Sequence, residues 1–384
     1  MRVLMLNYEY PPIGGGAAPF TRALAEELAR AGHCVDVVTM GYRRLPFREA
    51  LCNGRLRVFR VPALRHSPVR ALTIEMASYL VAALPWASYL TLGRRYDLIH
   101  AHFLMPTGVL GAALKRLSGL PLVITVHGSD VPGYNPDRFK RAHRLLFPVW
   151  KRLVRSADAI ISPSAYLRDL LQRSLPAPVT VVPYGFSPAS ASVTRRQRIL
   201  FASRLFPRKG AQFLLDALAR LDLTGWEVVI AGDGPMLDPL RAQARRLGLA
   251  VQFPGFVKGQ ALQNLYASSA IFVFPSLHDN FPVVLLEALS HGCAVITNDC
   301  TGMPEVVGEA GLLVQPHDTD GLRAAIARLM ADPVLRDELG ARARRRIAEL
   351  SWTRILEEHL ELYARVLSPG AAISAGTPGA APRL

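Results

Sequence analysis

The stretch Phe272–Ile296, FVFPSLHDNFPVVLLEALSHGCAVI, limits the architecture of this chain more than any other. Ala270–Phe274 is an apolar run of the length of one buried strand, and Pro275-Ser276 stop it. Leu277–Pro282 form a polar loop, and Val283–Ser290 carry apolar residues at helical spacing. Gly292 ends that helix, and Ala294–Thr297 read as the next buried strand. Strand, loop, helix and strand make a βαβ unit. In such sheets ligands gather at the carboxyl ends of the strands, against a helix N-terminus. Asp279, Asn280, Phe281, Pro282 and Val283 lie across that mouth, with Glu287 further along the helix. The N–H groups at the helix start suit a phosphate, and a carboxylate within the helix suits ribose hydroxyls.

The same alternation runs through most of the chain. Val3–Leu6, Val35–Thr39, Leu56–Val61, Asp97–His100, Leu122–Val126, Asp158–Ser162 and Val179–Val182 read as strands of a first domain. Helices are expected over Pro19–Ala31 and Gly108–Leu117. Met76–Gly93 is uncharged for 18 residues but contains Pro85 and several hydroxyls, so it reads as a buried or membrane-abutting helix rather than a span. Asp137–Ala157 is a basic amphipathic helix. Phe139, Ala142, Leu145, Leu146, Val149, Trp150, Leu153 and Val154 share one face, and Pro148 is expected to kink or divide it. Such a helix either lies on anionic lipid or packs its apolar face on the sheet. Ser187–Arg198 is small, polar and basic and reads as a linker. A second domain follows, with strands at Ile199–Ala202, Trp226–Ala231, Val251–Phe253 and Ala270–Phe274. Helices dominate from Thr319 to Val366, and residues 368–384 have too little to bury to fold.

Half of the 384 residues are hydrophobic, enough for two cores. The net charge of +15 is concentrated in residues 1–185, which hold 24 Lys and Arg against 11 Asp and Glu. That excess suits an anionic membrane surface or an acidic acceptor. No nucleic-acid module is recognisable, so nucleic acid is not expected as a partner. Cys34, Cys52, Cys293 and Cys300 show no C-x-x-C or zinc spacing and fit reduced thiols of a cytoplasmic protein. No metal-ligand cluster is expected.

Asp279 and Glu287, separated by seven residues after a Pro-Ser strand end, resemble the acid pair of the retaining glycosyltransferases of family 4. In that family the first acid is Glu, so Asp279 is one methylene short. Ser203-Arg204-Leu205, then Lys209-Gly210, resemble its Gly-Arg-Leu…Lys-Gly motif, with Ser203 for the Gly. Gly232-Asp233-Gly234-Pro235, His127-Gly128-Ser129-Asp130 and the Pro11-Pro12…Gly14-Gly15-Gly16 opening resemble further family segments. The resemblance covers roughly residues 1–366. It implies the GT-B fold, an α/β architecture of two Rossmann-like doubly wound domains facing a central cleft. Residues 1–185 would bind the acceptor, 186–198 link, 199–350 bind the nucleotide sugar, and a helix at 351–367 return to the first domain.

The resemblance further implies a hexosyl transfer from a UDP- or GDP-sugar to a hydroxyl of a glycan or lipid-linked acceptor, without cofactor or metal. Arg204 and Lys209 would neutralise the departing diphosphate, Glu287 would bind the ribose, and Asp279 would face the donor sugar. The backbone around Phe256-Val257 would meet the base. Gly15, Gly16 and Gly232 would lie near the donor, as would Asn280–Val283. His127, at the carboxyl end of a strand, would face the sugar and the acceptor; His102 is a weaker candidate of the same kind. A glycoside phosphorylase or sugar-nucleotide epimerase on this fold, or an inactive glycan- or lipid-binding scaffold, are the alternatives. The enzyme is expected in the cytoplasm, with peripheral attachment to the inner face of the membrane as an option.

Overall fold

The computed structural model describes residues 1–68, 71–134, 136–188 and 194–368, and it divides into two compact units. Unit 1 comprises Met1–Pro163, Arg168–Val182 and the chain from Ile355 onward; unit 2 comprises Ser164–Leu167 and Pro183–Arg354.

Unit 1 is built on β1 (Arg2–Leu6), β2 (Cys34–Met40), β3 (Arg48–Leu51), β4 (Leu56–Val61), β5 (Leu98–His102), β6 (Leu122–Thr125), β7 (Ala159–Ser162) and β8 (Thr180–Val181). Their order in the sheet is β3-β4-β2-β1-β5-β6-β7-β8, parallel except for β3 on β4. Residues Val3–Leu6 are wholly buried, as a strand covered on both faces must be, and this is why these runs are apolar without alternation. The connecting helices are α1 (Ala17–Arg30), α2 (Thr73–Gly93), α3 (Thr107–Ser118), α4 (Pro136–Ser156) and α5 (Ala165–Ser174). β1 has β2 on one side and β5 on the other, which makes the β1/β5 edge the point where the winding reverses. Ligands of doubly wound sheets collect at that place.

Unit 2 repeats the plan. Its strands are β9 (Arg196–Ala202), β10 (Glu227–Ala231), β11 (Val251–Gly255), β12 (Ser269–Phe274), β13 (Ala294–Asn298) and β14 (Gly311–Val314). They form a wholly parallel sheet of order β11-β10-β9-β12-β13-β14, whose winding reverses between β9 and β12. The helices are α6 (Ala211–Leu218), α7 (Leu237–Arg246), α8 (Gln260–Ser268), α9 (Val283–Ser290), α10 (Met303–Val307), α11 (Thr319–Ala331) and α12 (Pro333–Glu349). Phe201, Phe272 and Phe274 fill the core. The last helix, α13 (Trp352–Leu367), groups with unit 1 from Ile355 on, where the Tyr363 hydroxyl meets His100 Nδ1 at 2.7 Å.

Several expectations need correction. The first unit ends at Val182 rather than at residue 185, and the returning helix joins unit 1 at Ile355 rather than 351. The expected linker at 186–198 loses its last three residues to β9, because Arg198 is buried and pairs with Glu227 of β10 at 2.6 Å. Residues 189–193 of that linker and 369–384 of the expected tail lie outside the described residues. α4 runs unbroken past Pro148, which costs it the one hydrogen bond a proline nitrogen cannot give. The α4 side chains at 136–143, including Phe139 and Ala142, lie outside the described residues. Trp150, Leu153 and Val154 are buried, but Leu145, Leu146 and Val149 face solvent, so the apolar stripe is wider than the face that packs. α2 likewise buries Tyr79, Ala83, Ala87 and Leu90 and leaves Ile74, Val81, Tyr89 and Leu92 exposed. No helix among the described residues is long and apolar enough to cross a membrane.

Candidate active site

The β9/β12 edge of unit 2 carries the charged candidates. The loop after β9 and the loop after β12 are joined by their backbones: Leu277 N–H donates to Arg208 O at 2.8 Å, and Ser276 Oγ to the same oxygen at 3.1 Å. Gly210 has φ +81, and a Cβ there would collide with the Pro275 carbonyl. The approach is therefore reserved for glycine. It brings Lys209 Nζ to both carboxylate oxygens of Asp279, at 2.8 and 2.6 Å. Ser276 Oγ also donates to Asp279 Oδ2 at 2.7 Å, and Thr301 Oγ1 accepts Asp279 N–H at 3.3 Å. Thr301 has φ +55, a rare conformation for a β-branched residue. Burial pushes the Lys209 ammonium below its ordinary value; Asp279 opposes this, while Arg208 and Arg204 add to it. Three cations thus share one loop with one engaged carboxylate, an arrangement with capacity for further negative charge. Arg204 itself is exposed, with its guanidinium 5.8 Å from the Phe206 ring.

The start of α9 faces the same edge. Its N-cap is Pro282, no side chain caps its first turn, and no acid lies in that turn, so its N–H groups keep their positive potential. Asn280 is buried with Oδ1 accepting from Ser164 Oγ. Phe281 packs edge-on against Tyr184 at 5.4 Å, so its ring belongs to the core, and any contact it offers a ligand is through backbone. Glu287 accepts from the Tyr266 hydroxyl at 2.9 Å; burial raises its pKa, and that hydrogen bond holds it back. Phe256 and Val257 follow β11, with the Phe256 ring 71% exposed. At Gly232, φ is +143 and a Cβ would collide with the Ser203 carbonyl, so this glycine is required by loop packing whatever else it does.

The β1/β5 edge of unit 1 has another character. Asn7 Nδ2 donates to Thr21 Oγ1 at 2.7 Å, and its Oδ1 accepts Glu9 N–H at 2.9 Å. Glu9 Oε2 in turn accepts Gly15 N–H at 2.9 Å, and Arg65 stands 3.8 Å from the other oxygen. Among the three glycines only Gly14 has a positive φ, +116, and a Cβ there would crowd Glu9 and Ala18. Gly15 gives its N–H to Glu9, and Gly16 is the N-cap of α1 in ordinary helical backbone. The glycine loop is therefore a tied structure, not a row of free N–H groups. His127 follows β6 in a turn held by Asp130, which accepts N–H from Leu104 at 2.8 Å, Gly128 at 2.9 Å and His127 at 3.0 Å. Its ring meets Phe103 at 4.6 Å and Phe20 at 6.1 Å. Burial pushes His127 well below its ordinary value, so it is neutral at physiological pH. Part of the residue nevertheless stays accessible.

Lys209, Asp279 and the α9 start are brought together in unit 2, with Arg204 within electrostatic range of Lys209; Glu287 is anchored by Tyr266, and His127, Gly15 and Gly16 belong to unit 1. Tyr266 and Glu9 were not singled out from sequence, and Ser276 was read only as the Pro-Ser end of a strand. Ser276 stands three residues before Asp279, a readable spacing for a side-chain bond, whereas Glu9 is recognisable only once the glycine loop has folded over it. Among the described residues no three His, Cys, Asp or Glu are grouped to hold a metal ion.

Two largely parallel, doubly wound sheets, each with its candidate loops at the reversal point, define a pair of Rossmann-like α/β units. The sequence model described as Glycosyl transferases group 1 matches residues 196–332, and that described as Glycosyltransferase Family 4 matches residues 14–190. An uncharacterized glycosyltransferase of Methanocaldococcus jannaschii is 31% identical, over 94% of this chain and 98% of its own. D-inositol 3-phosphate glycosyltransferase of Corynebacterium jeikeium is 30% identical, over 96% and 98%. Among solved structures, sucrose-phosphate synthase from Thermosynechococcus elongatus superposes with a TM-score of 0.79 at 24% identity, covering 96% of this chain and all of that one. The chain belongs to glycosyltransferase family 4.

Proposed function

We propose that this glycosyltransferase is a retaining hexosyltransferase that takes its sugar from a UDP- or GDP-sugar and needs no metal or cofactor. The observation that carries the reading is the Lys209–Asp279 pair, held beside Arg204 and Arg208 at the β9/β12 edge. A nucleotide diphosphate leaving group gains charge as the glycosidic bond breaks. Cations fixed in advance stabilise that charge without reorganising. Lys209 and Arg204 fill this role, together with the uncapped N–H groups of α9. Glu287, oriented by Tyr266, accepts from the ribose hydroxyls, and the backbone at Phe256-Val257 meets the base. Asp279 orients Lys209 and faces the sugar. His127 faces the sugar and the acceptor hydroxyl, which attacks on the side the diphosphate leaves. Thermal stabilisation by UDP, GDP and ADP, with and without EDTA, tests this. A shift with UDP or GDP that survives EDTA and vanishes in Lys209→Ala supports it. A shift with neither, or one that EDTA abolishes, refutes it.

The acceptor side favours a glycan or lipid-linked hydroxyl at an anionic membrane surface on the cytoplasmic side. Leu145 is 80% exposed and, with Leu146 and Val149, shares the outer part of α4 with exposed Arg144, Arg152 and Arg155. A basic helix with an apolar outer stripe suits the headgroup region of anionic lipid. Flotation with anionic and neutral vesicles is the test: equal recovery with both, or with neither, removes this part of the reading.

A further inference from the structure

Two polar pairs join α8 to α9 in unit 2. The Tyr266 hydroxyl donates to Glu287 Oε2 at 2.9 Å, and Gln263 Oε1 stands 2.7 Å from His291 Nε2. Gln263 and Tyr266 are three residues apart on α8, and Glu287 and His291 four apart at the end of α9. Each helix therefore offers both of its polar groups from one face. Tyr266 is wholly buried. Its ring packs on Phe272 of β12 at 5.4 Å and lies within 8° of the plane of the His291 ring. Cys293 Sγ donates to the Tyr266 carbonyl at 3.2 Å, which ties the backbone behind the ring as well. The phenol oxygen thus has one place to stand. Burial and the neighbouring carboxylate push the phenol well above its ordinary value, so Tyr266 keeps its proton and is the donor in this bond.

Glu287 is half-buried, and the Tyr266 hydroxyl is the one group among the described residues that hydrogen-bonds to its carboxylate. Nothing else among them offsets the cost of burying that charge. A carboxylate has about four lone-pair sites. One of those on Oε2 is used by Tyr266, and Oε1 is left open. Three torsions separate a glutamate carboxylate from its backbone, so an unanchored group would present its oxygens in many directions. An anchor on Oε2 removes that freedom before any ligand arrives, and the ordering cost is then not charged against binding.

We propose that Tyr266 is a positioning residue that sets selectivity for ribose: by fixing Glu287 Oε2 it directs the open oxygen, Oε1, at the vicinal hydroxyls of the donor nucleotide, and so makes the site discriminate a ribonucleotide from its deoxy counterparts. This rests on the reading of Glu287 as the ribose carboxylate. Tyr266 spends its single proton on Glu287 and acts only through it.

The probes are UDP or GDP, whichever stabilises the natural chain, and the 2′-deoxy and 3′-deoxy analogues of that nucleotide, with Kd measured on the full chain by calorimetry. The natural chain should prefer the ribonucleotide to at least one analogue by about tenfold or more, the worth of a hydrogen bond to a charged group. Tyr266→Phe keeps the ring, removes the hydroxyl and should cut that preference about fivefold. Glu287→Gln should cut it at least as far. A merely structural tyrosine would change Tm and all three Kd values alike and leave the ratio where it was. In a Glu287→Gln background, adding Tyr266→Phe should change the ratio no further. That double variant buries no unpaired charge, so it carries the comparison even if Tyr266→Phe alone does not fold. A preference that survives Tyr266→Phe but not Glu287→Gln overturns the proposal and leaves Glu287 at the ribose. A further drop in the double variant also overturns it, because Tyr266 would then act by another route. Binding of neither nucleotide, no preference in the natural chain, or a preference that survives Glu287→Gln overturns the reading of Glu287 itself, and the proposal with it.

Discussion

The two reversal points of this chain have the same topology and opposite chemistry. At the β9/β12 edge of unit 2, Lys209 is bonded to one carboxylate that is already satisfied, and Arg208 and Arg204 add their charge to that of Lys209. At the β1/β5 edge of unit 1 the candidates are neutral imidazoles and a glycine loop tied down by Glu9. A doubly wound sheet dictates where a ligand goes but not what it is. The side chains on the loops decide that. Unit 2 is suited to a group whose charge grows during reaction. Unit 1 is suited to hydroxyls, which need orientation more than neutralisation.

The comparison breaks if removing Lys209 is mild. Lys209→Ala is expected to lower turnover by about 10²–10³-fold, the usual cost of one preorganised charge-stabilising donor. It should also abolish stabilisation by a nucleoside diphosphate. A second large effect tests the scaffold rather than the charge. Gly210→Ala places a Cβ against the Pro275 carbonyl at φ +81, so it should cost more than about 2 kcal/mol and lower Tm by several degrees. A stable Gly210→Ala protein that retains activity would show that the two loops need not be joined in this way.

These ionic features were the legible part of the molecule. Asp279 and Glu287 fall at a fixed separation around a helix start, and Lys209 precedes a glycine, so the chemistry is carried by neighbours in sequence. The parallel strands were legible for a similar reason: burial on both faces leaves runs such as Val3–Leu6 and Ile271–Phe274 without polar interruption. What stayed hidden depends on partners far along the chain. Arg198 looked like linker charge because Glu227, which pairs with it, is 29 residues away. Edge strand β3 (REAL) shows no apolar run, since it is covered on one side only. The His102–His127 bond joins residues 25 apart through strand register, and periodicity carries no trace of it.

The neutral character of unit 1 gives the next prediction, through pH. Burial holds His359 down at about 4, against about 6.5 for an ordinary histidine. The groups around it are His100, Phe20 and Tyr363, none of which supplies negative charge at neutral pH. As pH falls from 6.5 towards 4 the unfolded chain takes up a proton at this position that the folded chain refuses. Stability must therefore fall with pH, by up to about 1.4 kcal/mol per pH unit for this one group. Denaturant midpoints measured at pH 7.5, 6 and 5 should decline for the natural chain and decline less steeply for His359→Leu. An unchanged slope would mean that His359 is as easily protonated in the fold as outside it.

The smallest expected effect separates orientation from charge within unit 2 itself. Ser276 is buried, and its one hydroxyl proton lies between Asp279 Oδ2 at 2.7 Å and the Arg208 carbonyl at 3.1 Å, so it trims the position of the carboxylate while adding no charge. Ser276→Ala removes one hydrogen bond and leaves Lys209 bonded to both carboxylate oxygens, so the cost should be about 1 kcal/mol, a factor of five to ten. If Asp279 matters through the direction in which it holds Lys209, that factor should appear in kcat, with the affinity for nucleoside diphosphate nearly unchanged. If it appears in nucleotide affinity alone, Ser276 supports a binding surface for the diphosphate in its ground state. The ionic edge would then be a clamp for the whole donor, and charge stabilisation in the transition state would rest with Arg204 and the α9 N-terminus.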